Sequence, residues 1–118
     1  RPKVSGMVPI TSAADTWIDV QAMMGPTTST PATIAATGTQ IGYGVGAASA
    51  SAFAVRFQEA FGAAMTPSDT SPAAVVPAGT QQTIVVSALR QYGASAWSTA
   101  QSLNTNARAE LHVELMPV

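Results

Sequence analysis

Apolar and polar side chains alternate most strictly near the end of the chain. Ala107, Ala109, Leu111, Val113 and Leu115 fall on one face, and Arg108, Glu110, His112 and Glu114 on the other. That two-residue period predicts an antiparallel strand half-buried on one side, closed by Pro117. A second alternation runs from Thr16 to Met23. Ile18, Val20 and Ala22 point one way, while Asp15, Trp17, Asp19 and Gln21 point the other. Gly25-Pro26 stops this strand, and Thr27 to Pro31 reads as a polar loop.

The middle of the chain is less regular. Residues 32–46 carry β-branched and aromatic residues broken by Gly38, Gly42, Gly44 and Gly46. A helix tolerates such glycines poorly, at about 1 kcal/mol each, so two short strands around a turn or bulge at Gly38 are expected. Residues 49–65 support two readings. Phe53, Val55 and Phe57 alternate as in a strand, yet Phe53, Phe57 and Phe61 recur every four residues and Gly62 stands where a helix would end. The alanine-rich flanks tip the choice slightly to a helix. Three prolines in residues 66–79 predict a long ordered loop, the kind that has a task or is pinned by a partner. Thr80 to Leu89 reads as a strand, with Ile84-Val85-Val86 implying burial on both faces, and Trp97 to Leu103 as another before the turn-prone Asn104-Thr105-Asn106.

Short strands at this spacing predict a mainly β fold, a single domain over residues 1–118. Its expected form is a small antiparallel sandwich, jelly roll or barrel with at most one short helix, around 49–61. Alanine and threonine dominate the composition, so the core is expected to lean on the few large residues: Trp17, Ile18, Phe53, Phe57, Phe61, Ile84, Leu89, Trp97, Leu111 and Leu115.

Charge changes the picture more than hydropathy does. Only 9% of residues are charged, five basic and six acidic among 118, against about a quarter in an ordinary soluble domain. Either hydroxyl and amide side chains solvate the surface, or neighbours cover much of it. The net charge of −1 gives the whole chain no footprint for nucleic acid. The basic tip at Arg1 and Lys3 is the sole place for such contact, as the stub of a longer arm, although a solvated terminus is the plainer reading. The chain opens on Arg1 and not on Met, so the expected start is a trimmed or cleaved one, or the arbitrary boundary of a longer sequence. No apolar run approaches the roughly 18 residues of a membrane-spanning helix. Without cysteine there are no disulfides, thiolate metal sites or thiol nucleophiles.

The candidate chemistry is thin. Glu110-x-His112-x-Glu114 resembles a metal or acid–base cluster, but on a strand neighbours of one face stand about 6.5 Å apart and the two glutamates about 13 Å. One ion with ligands near 2 Å cannot gather all three. A solvated face is expected, with His112 as the residue on which a pH-sensitive contact would rest. Asp15 and Asp19 are likewise too far apart for a carboxylate pair. Gly42-x-Gly44-x-x-Ala47 loosely fits a dinucleotide fingerprint, yet the βαβ unit it needs is missing. A Ser-His-Asp triad would have to pull His112, the single histidine, off its exposed face. No catalytic, cofactor or metal site is therefore expected, and an enzyme is disfavoured.

The contact residues are a better prospect. Trp17, on the polar face of its strand, with Tyr43, Tyr92, Trp97 and His112, forms the expected interface set, core filling being the plainer reading for Trp97. The expected function is a structural subunit of a virus or phage particle (coat, cement or projecting domain), with copies of itself or other particle proteins as partners. The competing expectation is a secreted or surface binding module, including a pilus-like subunit that exchanges a terminal strand. Either places the chain in a virion or outside the cell.

Overall fold

β-Branched and alternating segments become strands through most of the described residues. The computed structural model describes residues 1–10, 16–48, 53–59, 75–90 and 108–117. They form β1 (Pro2–Ile10), β2 (Thr16–Pro26), α1 (Pro31–Thr37), β3 (Thr39–Ala48), β4 (Phe53–Glu59), β5 (Gln82–Arg90) and β6 (Glu110–Leu115). The strands make one sheet in the order β5-β2-β3-β4-β1-β6, every neighbouring pair antiparallel. The sheet curls around its apolar face, so the expected mainly β architecture of small barrel or sandwich type is the one found.

The inner face holds the core. Val4, Val8 and Ile10 of β1 pack with Ile18 and Val20 of β2, Ile41 of β3, and Val55 and Phe57 of β4. A bulge opposite Ala22 and Met23 lets Ile41 turn inward beside Gly42. Ile84 and Val86 of β5 pack onto this cluster, while Val85, on the other face, is buried in a second one. The burial of β5 on both sides follows from this.

The helix is not where the period-four phenylalanines place it. Residues 53–59 are strand β4, with Val55 and Phe57 buried and Arg56 and Gln58 exposed. Residues four apart share a face in a strand as well as in a helix, so that spacing could not choose between the two. The one helix among the described residues occupies 31–37, read above as loop end and strand. Its signals are nonetheless local. Thr30 is the N-cap, its hydroxyl accepting the Thr33 N–H at 3.2 Å; Pro31 takes the first turn; and Gly38 donates to Ile34 O at 2.8 Å. The glycine density that argues against a helix begins only after it, in β3.

Strand β1, which no pattern marked, lies between β4 and β6. The basic tip is consequently no loose terminus. Arg1 and Met116 exchange backbone hydrogen bonds of 2.9 and 2.8 Å, and Pro2 is buried. Glycine matters most at Gly44, where β3 crosses β4 so closely that a Cβ would collide with the Arg56 carbonyl oxygen.

Candidate interaction surface

Strand β6 is the edge of the described sheet, and its burial reverses the expectation of a half-buried strand. All six residues are exposed. Leu111, Val113 and Leu115 share the inward face as alternation requires, yet remain 43%, 46% and 73% exposed. The reason is tertiary: among the described residues no strand lies beyond β6, and the core cluster ends at β1 beside it. The large residues assigned to the core from sequence thus divide, with Ile18 and Phe57 buried, Ile84 partly so, and Leu111, Leu115 and Trp17 at the surface. Phe53, Phe61, Leu89 and Trp97 lie outside the residues or side chains described.

The hydrogen-bond phase of β6 follows from its pairing with β1. Arg1 and Met116 form a reciprocally bonded pair, and the register continues through Lys3–Glu114, Ser5–His112 and Met7–Glu110. Alternate pairs in an antiparallel ladder are bonded, so the even-numbered residues of β6 direct N–H and C=O toward β1. Leu111, Val113 and Leu115 direct theirs outward, away from β1. No lysine, proline or bulge blunts this edge within β6.

On its inner side β6 borders a groove of ≈ 360 Å³ that reaches β5, walled by Val113, Leu115, Ile84 and Val76 over Pro2 and Met24. The curl of the sheet therefore brings its two edges to one apolar seam.

The outer face is polar and divides in two. At the β5–β2 end, α1 covers it: Ile34 and Ala35 pack on Met23 and Val85. Gln21, expected on a solvated face, is buried there, donating to Ala35 O at 2.8 Å and to Ser87 Oγ at 3.2 Å. Where α1 does not reach, the face is open. Trp17 is 51% exposed and Val45 is exposed too. Tyr43 donates its hydroxyl to Asp19; partial burial, then the Asp19 charge, then this hydrogen bond raise the phenol above its ordinary value.

Tyr43 and His112, separated by β4 and β1, line one surface cleft with Ser5, Arg56, Gln58 and Glu110. His112 Nε2 lies 3.7 Å from Glu110 Oε2, but its side chain is 70% exposed, so the cleft does not enclose it. Among the described residues no three of His, Cys, Asp and Glu stand close enough to share a metal ion. Gly42, Gly44 and Ala47 lie within β3, which continues as strand through Ala48, so the turn a dinucleotide fingerprint requires is not formed there. Trp17 stands apart from the cleft, and Tyr92, Trp97 and Asp15 lie outside the described residues. Sequence reasoning passed over Arg56 and Gln58, although the alternation with Val55 and Phe57 marks them as outer-face residues. No helix among the described residues is long and apolar enough to cross a membrane. No family model, curated protein or solved structure matches the chain.

Proposed function

We propose that the chain is a non-enzymatic structural subunit of a larger assembly, a virus or phage particle protein acting as coat, cement or decoration, or projecting domain. The observation that carries this reading is the edge strand of the described sheet, whose three apolar side chains stand partly in solvent, on a body with only 9% charged residues. Exposed apolar edges invite pairing, and here Glu110, His112 and Glu114 lie on the outer face of β6 and leave its inner apolar face uncovered. Copies of this chain or other particle proteins are the partners this surface fits. Lys3, exposed on β1 beside Glu114, is the residue through which the basic tip would meet nucleic acid.

Trp17 favours a second reading. An indole half in solvent, on the same outer face as Tyr43 and Asp19, fits the contact patch of a surface binding or adhesion module, or of a pilus-like subunit. Size-exclusion chromatography with light scattering separates the two. A particle subunit elutes as a large stoichiometric species, whereas a clean 12 kDa monomer at high concentration transfers the assignment to the binding module.

A further inference from the structure

We infer that β6 is self-complementary, and that a second copy of this chain adds its own β6 antiparallel to it about a two-fold axis at Val113. This names the partner in the assembly reading and rests on it.

Three observations converge. The first is backbone phase. Only Leu111, Val113 and Leu115 have outward N–H and C=O groups, so an added strand must pair through odd-numbered residues. A two-fold at Val113 does this, with Val113 bonded to Val113 of the copy and Leu111 to Leu115 of the copy.

The second is charge. In that register the closely spaced non-bonded pairs are His112 against Glu114 of the copy and Glu114 against His112 of the copy. These are two opposite-charge pairs on the outer face whenever His112 is protonated, and two hydrogen-bonding pairs when it is not. Lys3 of the same chain flanks Glu114 on its other side, while Ser5 and the Glu110 carboxylate flank His112. The neighbouring two-fold register, centred on His112, instead sets Glu110 against Glu114 of the copy. Charge therefore rules against the His112-centred register. A two-fold at Leu111 would also oppose unlike charges, Glu110 to His112 of the copy, but it pairs only residues 110–112 of β6 with each other, against 111–115 for the two-fold at Val113.

The third is apolar complementarity. The same register places Leu111 against Leu115 and Val113 against Val113 on the inner face, covering the most exposed large apolar side chains of β6. An isologous contact of this kind closes on itself as a pair and merges two six-stranded sheets into one.

Sedimentation equilibrium of the full chain near neutral pH in low salt tests the inference, with thermal melts confirming that each variant folds. The wild type is expected to form dimers or species built from them. His112→Glu opposes like charges twice and should weaken association about tenfold, whereas His112→Lys keeps opposite charges and should retain it. Val113→Pro removes an outward N–H that the β1 ladder does not use and should abolish pairing. If that variant fails to fold, the two His112 variants decide. Association indifferent to His112→Glu, or lost equally in His112→Lys, overturns the inference. If the unaffected species are large assemblies, the structural reading stands and the contact lies elsewhere. A wild type that stays monomeric at high concentration removes both.

Discussion

Strands β2 and β6 obey the same alternation and end in opposite environments. In β2 a polar residue, Gln21, is buried under α1; in β6 three apolar residues, Leu111, Val113 and Leu115, are left in solvent. Alternation assigns residues to faces, and the faces come out as assigned in both strands. What it does not assign is the cover. A helix packed over one end of the outer face makes a polar position interior, and the end of the sheet makes an apolar position exterior. Gln21 is tolerated inside because its amide meets Ala35 O, one of the last carbonyls of α1 that no N–H of that helix reaches.

This contrast can be broken at its covered end with the largest effect. Ile34 is almost wholly buried, so Ile34→Ala should cost about 3 kcal/mol in chemical denaturation, against no more than about 0.5 kcal/mol for Leu115→Ala when measured at concentrations too low for copies to pair. Equal costs at the two sites would mean that α1 does not seal its end. Next comes Gln21→Ala, which strips the partner from Ala35 O and from the Ser87 hydroxyl. About 2 kcal/mol should be lost, read from the shift in the denaturation midpoint.

The smallest effect belongs to the half-covered ground between, at Tyr43. Its raised phenol means that the folded chain holds the proton more tightly than the unfolded chain. The contribution is whole below the unfolded value of about 10 and is lost as pH rises through the higher folded value. In a Tyr92→Phe background Tyr43 is the single phenol. Its tyrosinate absorbance should then titrate above the unfolded chain's, and adding Asp19→Asn should bring the midpoint down. An unmoved midpoint would break the Tyr43–Asp19 link.

Much of the fold was legible because β-period signals are local. Ile18, Val20 and Ala22 point to the core as the pattern requires, and Ile84-Val85-Val86 lies in the doubly covered β5. The helix was misplaced because the Phe53–Phe57 spacing suits both periods, while the brief signal of Thr30, Pro31 and Gly38 was outweighed by glycines belonging to β3. Strand β1 escaped because Pro2, Gly6 and Pro9 interrupt its alternation. Of the expected contact residues, Tyr43 and His112 share a cleft although 69 positions apart in sequence, which is a consequence of strand order alone.

The residues by themselves determined that this is a β-rich domain poor in charge, and which side chains share each strand face. Those properties depend on neighbours two positions apart and on composition. Tertiary structure alone decided that β6 closes the row of described strands, that α1 roofs Gln21, and that among the described residues no strand lies beyond the apolar face of Leu111, Val113 and Leu115. Each of these depends on which strands lie side by side, and strand order is set by contacts between segments far apart in the chain.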